Sequence, residues 1–136
     1  MTEATADNGQ YSIEARSLGK QYRGAGDGFW VFRNLDLIVR KGEMVCVSGP
    51  SGCGKTTLLS LLAGLDRPTE GQVSLLGNRI DSISESRAAA VRRRVIGFVF
   101  QFFYLLPNLT AIENVALPLM AGARHDSDLT KAADVL

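Results

Sequence analysis

No stretch of about 18 apolar residues occurs in this chain, so the sequence offers no helix able to span a bilayer. Its start, Met1 to Gln10, is polar, carries Glu3 and Asp7, and lacks the apolar core of a signal peptide. Charge of one sign is also scarce. A net charge of +1 over 136 residues provides no long-range field for a polyanion, and no dispersed basic surface pattern is evident; no nucleic acid partner is expected. There are only two cysteines, Cys46 in an apolar run and Cys53 in a glycine-rich turn, which excludes a disulfide framework. Both are expected as reduced thiols, with Cys46 buried in a strand. These absences predict a cytosolic chain that reaches a membrane only through a partner. What is present is ample apolar content, 46%, enough for a core.

The most informative segment is Gly49-Pro50-Ser51-Gly52-Cys53-Gly54-Lys55-Thr56, a complete G-x-x-x-x-G-K-[ST] phosphate-binding loop followed by Thr57. Glycine at 49, 52 and 54 lets the backbone take the positive φ angles of a nest that turns successive N–H groups onto an anion. Lys55 then brings an ammonium to the β- and γ-phosphates, and the Thr56 hydroxyl suits the Mg²⁺ that bridges them. A helix from Lys55 to about Gly64 aims its positive dipole end at the same place. Met44 to Val47 reads as a buried parallel strand before the loop, and Leu58, Leu59, Leu61, Leu62 and Leu65 as the packing stripe of the helix after it. Cys53, beside Lys55 and a helix N-terminus, is either an oxidisable thiol or a small residue at a variable loop position.

Along the rest of the chain, a polar leader (1–10) precedes one expected domain (11–136). Tyr11 to Arg16 alternates as a strand and Phe29 to Val39 gives a second, with glycines between them, a hairpin pattern. Asp66 to Gly71 is a dense turn, Gln72 to Leu76 a strand, Gly77-Asn78 a turn, and Arg79-Ile80 extended. Ser84 to Arg94 is helical with Ser84 or Ser86 as cap, and Val95 to Phe100 is an apolar strand ended by Gln101. Thr110 to Glu113 is a capping box opening a helix that Pro118 should kink or end, and a last helix is expected over Lys131 to Leu136. No internal repeat or low-complexity segment is present.

The loop, the Arg40-Lys41-Gly42-Glu43 turn and Gly97-Phe98-Val99-Phe100-Gln101 together resemble the ATP-binding subunit of an ABC transporter. The continuation from Phe102 through Val115 is similar to the lipoprotein-releasing and macrolide-exporting (LolD/MacB) subgroup. The resemblance covers nearly all of residues 11–136. It implies an α/β fold, a P-loop NTPase core with an N-terminal antiparallel β subdomain, with ATP and Mg²⁺ as cofactors. Tyr22 would stack on adenine; the plainer alternative is that it simply covers the hairpin. Gln101 would be the Q-loop glutamine, catalytic through Mg²⁺ and the attacking water, although it also suits a polar strand end. Phe102, Phe103, Tyr104, Leu105 and Leu106 are either core or the patch that receives a transmembrane permease subunit, and a split is expected, with some buried and one or two exposed. The resemblance further implies a second ATP-binding subunit and a place on the cytoplasmic face of the inner membrane. Arg92-Arg93-Arg94 reads as a solvated helix end suited to the C-terminal dipole rather than a nucleic-acid patch.

Hydrolysis needs a carboxylate for Mg²⁺ from a second strand, a base or water-positioning group and charge stabilisation at the γ-phosphate. In the family these come from an apolar strand ending Asp-Glu, a switch histidine and a Leu-Ser-Gly-Gly-Gln signature. No Asp-Glu pair and no Ser-Gly-Gly occurs here, and His125 sits in a polar turn too early to be that histidine. The chain therefore reads as the portion of such a domain that ends before the signature and Walker B segments. It is expected to bind nucleotide without turning it over, and to be marginally stable alone because sheet edges and apolar surface lack their cover. The alternative is a non-enzymatic fragment that binds a membrane subunit through residues 102–106. Absence of Asn-Lys-x-Asp and Asp-x-x-Gly argues against a GTPase.

Overall fold

The alternation of apolar residues along the N-terminal strand changes parity part-way, and that change shapes the whole sheet. Ile13 and Ala15 face the core first, then Leu18 and Lys20. The switch occurs at Ser17, which takes a left-handed conformation (φ 47°) where the register with both neighbouring strands shifts. A bulge of this kind inserts an extra residue and turns the following side chains to the other face. Asp36 fixes it by accepting a hydrogen bond from the Ser17 N–H at 2.6 Å.

The computed structural model describes residues 11–24 and 27–120, with the side chains of 118–120 excepted. The sequence expectations for the leader, His125 and a helix over 131–136 lie outside the described residues. Strand β1 (Tyr11–Tyr22) forms an antiparallel hairpin with β2 (Phe29–Arg40). Helix α1 (Lys55–Leu62) follows the phosphate loop, and β3 (Glu70–Leu75) returns to pair antiparallel with β1 on its other edge. A two-residue strand, β4 (Asn78–Arg79), completes a four-stranded sheet of order β2-β1-β3-β4. Helix α2 (Glu85–Val95) comes next. The structure divides after Ile96 into two units, and the second, from Gly97 onward, carries α3 (Ala111–Met120).

In the first unit, Leu58, Leu61 and Leu62 of α1 join Ala15 and Leu18 of β1, Val73 and Leu75 of β3, and Ile80 in one buried cluster. Phe32, Leu35 and Leu37 of β2 and Val91 of α2 pack around it. The expected leucine stripe is therefore narrower than predicted: Leu59 and Leu65 are exposed. An eight-residue helix turns only about twice, so one sheet face covers a single arc of it. Ser84 occupies the N-cap of α2 as expected but makes no capping hydrogen bond; its hydroxyl lies 3.1 Å from that of Ser86. At the other end, Arg92 is not solvated as anticipated. Its guanidinium donates to the Gly64 carbonyl at 2.6 Å and pairs with Glu85, so it satisfies an acceptor just beyond the end of α1.

Two expected strands do not form. Met44 to Val47 and Val95 to Phe100 belong to no ladder; Val95 instead ends α2, and Met44 and Val99 are almost wholly exposed. Cys46, predicted buried, is exposed. Ile96 is extended (φ −126°, ψ 133°), yet a strand exists only when its N–H and C=O groups find a neighbour, and the described residues supply none for either segment.

In the second unit the Thr110 capping box forms as read. The Thr110 N–H donates to Glu113 Oε2 at 2.8 Å, and the Glu113 N–H reaches back to Thr110 Oγ1 at 3.4 Å. Helix α3 runs to Met120, so Pro118 does not end it. Proline removes one N–H from a helix but itself holds a helical φ, so the turn beyond it persists.

Candidate functional site: a glycine-rich phosphate loop and its aromatic neighbour

The loop from Gly49 to Thr56 is built on backbone that only glycine takes without strain. Gly49, Gly52 and Gly54 have φ angles of 154°, 80° and 95°. Gly54 is the N-cap of α1 in left-handed geometry, so the first free N–H groups of the helix open directly off the nest. A Cβ at Gly49 would lie 2.8 Å from Cys53 Sγ, and one at Gly54 would fall on Val31 Cγ1. The loop thus lies against β2 at Val31 and Phe32. Lys55 Nζ is folded over the nest, donating to the carbonyls of Gly49 at 2.9 Å and Pro50 at 2.7 Å, with Cys53 Sγ 3.8 Å away. Pro50, Ser51, Gly52, Cys53 and Thr56 are exposed, while Thr57 is half-buried. The site therefore presents the backbone N–H groups of the loop, one ammonium and one exposed threonine, a donor set suited to a phosphate chain and its magnesium.

Tyr22 belongs to the same hairpin that the loop touches: Phe32 pairs with Lys20, and Phe29 with Tyr22. Its ring meets Phe29 at 6.2 Å between centroids, and its hydroxyl donates to Asp66 Oδ2 at 3.1 Å. Below it Lys20, only 8% exposed, sends Nζ to Asp66 at 2.7–2.8 Å and to the Arg67 carbonyl at 2.8 Å. That ammonium lies 4.9 Å from the Tyr22 ring centroid. The sequence reading missed Lys20 and Asp66. They lie 46 residues apart, and neither stands in a local pattern that would connect them. Gln21, Arg23, Asp27, Gly28 and Thr69 line an open polar recess nearby at the end of the hairpin.

Burial works to raise the Asp66 carboxyl, but hydrogen bonds from Lys20, the Arg67 N–H and the Tyr22 hydroxyl outweigh it and hold the group below the ordinary carboxylate range. A carboxylate lowered in the folded state contributes stability above its unfolded pKa, and that stability is lost as pH falls through the folded value. The melting temperature is therefore expected to stay level from neutrality toward the ordinary carboxylate range and fall below it. Asp66→Asn should remove part of that acid limb; a thermal melt series in which wild type and variant lose stability in parallel on acidification would rule the assignment out.

Gln101 lies in the second unit, exposed, just beyond the apolar segment it was expected to terminate. The run after it departs from the anticipated split. Phe102, Phe103, Tyr104 and Leu105 are each at least 66% exposed and Leu106 is 44% exposed, so none is core. The aromatics contact one another instead, Phe100 edge-on to Tyr104 at 5.1 Å and Phe102 to Tyr104 at 6.4 Å, and Tyr104 takes a left-handed φ of 48°. Asn114, which sequence reasoning also passed over, ties this loop to α3. Its Oδ1 accepts from the Leu106 N–H at 2.8 Å, and its Nδ2 reaches the Leu106, Leu109 and Thr110 carbonyls. No helix among the described residues is long and apolar enough to cross a membrane, and none of their acidic, cysteine or histidine side chains gather into a metal-ligating group.

The family model described as ABC transporter matches residues 32–136. The chain belongs to that family. Within it, the ABC-family chain is 46% identical over 125 residues to an uncharacterized ABC transporter ATP-binding protein of Methanocaldococcus jannaschii, covering 91% of this chain and 55% of that protein. It is 47% identical over 122 residues to the lipoprotein-releasing system ATP-binding protein LolD of Xanthomonas campestris pv. campestris, covering 90% and 51%. The fold matches the dimeric ATP-binding cassette MJ0796 bound to ADP and Pi, with a TM-score of 0.83 and 36% identity over 90% of this chain and 54% of that one. The ABC-family chain therefore spans about half the length of the curated relatives it matches, and its fold is that of an N-terminal portion of such a cassette.

Proposed function

We propose that this chain is the nucleotide-binding portion of a transport ATPase, taking Mg²⁺-ATP in the loop from Gly49 to Thr57. The observation that carries this is the conformation of Gly54, whose left-handed φ and close approach to Val31 run the nest directly into the start of α1. Lys55 would leave the Gly49 and Pro50 carbonyls for the β- and γ-phosphates, Thr56 would ligate Mg²⁺, and Tyr22 would stack on adenine. Gln101 would contact Mg²⁺ and the attacking water. Support for the triphosphate reading comes also from the ADP and Pi in the matching cassette. In the whole protein the nucleotide would drive export or lipoprotein release, with a second ATP-binding subunit and transmembrane permease subunits at the cytoplasmic face of the inner membrane. The exposed run Phe102 to Leu105, which leads into Leu106 where Asn114 holds the backbone, is the surface offered to a permease. That exposure also favours the second reading, a non-enzymatic chain acting only through this patch. Hydrolysis by these 136 residues alone is not expected.

The deciding experiment is a thermal melt of the purified chain with Mg²⁺-ATP. At a free concentration a hundredfold above Kd, binding stabilises the folded state by about 2.7 kcal/mol, a rise on the order of 10 °C. Lys55→Ala should remove the rise. No rise at millimolar ATP would sink the nucleotide reading and leave the patch reading.

A further inference from the structure

A tyrosine at the end of a hairpin is an unreliable surface for a flat ligand, because both its χ angles are free unless something fixes them. Tyr22 is fixed from two directions. Its hydroxyl donates to Asp66 Oδ2 at 3.1 Å, and Asp66 stands just beyond the C-terminal end of α1, the helix whose N-terminus forms the phosphate loop. One side of its ring receives Lys20 Nζ at 4.9 Å from the centroid, and Lys20 is itself buried. Asp66 is itself held by Lys20 and by the Arg67 N–H at 2.7 Å. Tyr22 still keeps 38% of its surface in solvent.

From this geometry we propose that Lys20 and Asp66 are positioning residues that hold Tyr22 as a pre-set platform for the adenine of ATP. The proposal rests on the ATP reading above. The bulge at Ser17 makes the arrangement possible, because it sets the parity that turns Lys20 inward toward Asp66. Helix α1 then fixes both ends of the ligand: its N-terminus at the phosphates and, through Asp66, the base platform. A platform ordered before the ligand arrives saves the entropy of ordering it on binding. Lys20 and Asp66 touch no part of the nucleotide in this scheme and act through Tyr22.

The test measures binding of Mg²⁺-ATP and of inorganic tripolyphosphate to the full chain by titration calorimetry. Tripolyphosphate engages the loop but has no base. Tyr22→Ala should weaken ATP about 10–100-fold, the range that loss of a base–aromatic stack produces. Tyr22→Phe keeps the ring and the Lys20–Asp66 pair but loses the hydroxyl bond, and Asp66→Ala removes the anchor itself. Both should weaken ATP roughly 3–10-fold while leaving tripolyphosphate within about twofold of wild type. If Asp66→Ala does not fold, Tyr22→Phe alone decides. Wild-type ATP affinity in Tyr22→Phe and in any folded Asp66→Ala, alongside a loss in Tyr22→Ala, would overturn the positioning role and leave the ATP reading intact. A parallel loss of tripolyphosphate would show that the pair merely supports the loop, and would also overturn it. Tyr22→Ala binding ATP as well as wild type would remove the base platform, and the positioning role with it.

Discussion

Alanine at Gly54 is expected to abolish the ATP-dependent rise in melting temperature, even though it adds only one methyl group. Two penalties coincide there. The backbone is left-handed (φ 95°, ψ 11°), which costs a residue with a Cβ about 1–2 kcal/mol. The new methyl would also fall on Val31 Cγ1 and lie 3.4 Å from Phe32 Cδ1, and forced overpacking costs typically about 1–3 kcal/mol. Neither neighbour yields easily, since Val31 and Phe32 are in β2 and Phe32 packs against the core. The chain escapes by moving the loop, which turns the first N–H groups of α1 away from the phosphates. A loss of at least 100-fold in affinity is expected, about 2.7 kcal/mol. Gly52→Ala is the control, because Gly52 shares the positive φ of 80° but has nothing within 4 Å of its virtual Cβ. Melts with and without Mg²⁺-ATP should therefore rank Gly54→Ala well below Gly52→Ala. Equal ATP responses in the two variants would show that contact with β2 is irrelevant to the cradle.

The phosphate loop was legible because its chemistry is local. Three glycines, a lysine and a threonine at fixed spacing encode a backbone path, and the φ angles at 49, 52 and 54 are those the spacing demands. The N-terminal hairpin was legible only in part. Alternation identified β1 up to Arg16, but the bulge at Ser17 reverses the parity, and a pattern that depends on period two ends where the period breaks. Lys20 and Asp66 were invisible for a related reason: a lysine reads as solvated until the bulge and the helix end that bury it are known. Met44 to Val47 and Val95 to Phe100 failed in the opposite direction. Their apolar side chains and β-propensity describe segments fit to be covered on both faces, but propensity records fitness for a neighbour, not its presence. The run from Phe102 to Leu106 follows the same logic, since density of apolar residues alone cannot tell a core from a docking surface.

Helix α1 carries both the loop and the core, and a pair of leucine substitutions two residues apart separates these roles. Leu61→Ala should destabilise the chain by about 2–5 kcal/mol, since Leu61 is 1% exposed among Leu18, Val73 and Leu75 and its removal leaves a cavity lined by strands that cannot collapse onto it. Leu59→Ala, at 55% exposure on the same helix, should cost no more than about 0.5 kcal/mol, and alanine's higher helix propensity offsets part of that. Against a typical total of about 5–15 kcal/mol, the first change takes a large share of the stability, and the second is barely measurable. Urea unfolding of the two variants checks this, and comparable losses would mean that α1 does not pack on the sheet through the face seen here. The nucleotide response adds the distinction that matters for function. Leu61→Ala leaves Gly54, Lys55 and Thr56 untouched, so the fraction that remains folded should still gain stability from Mg²⁺-ATP. Gly54→Ala should show the reverse, with the ATP increment gone from whatever fraction stays folded. That opposition arises because α1 anchors in the sheet through Leu58, Leu61 and Leu62, while its N-terminus is shaped by the glycine nest where Gly54 lies against Val31.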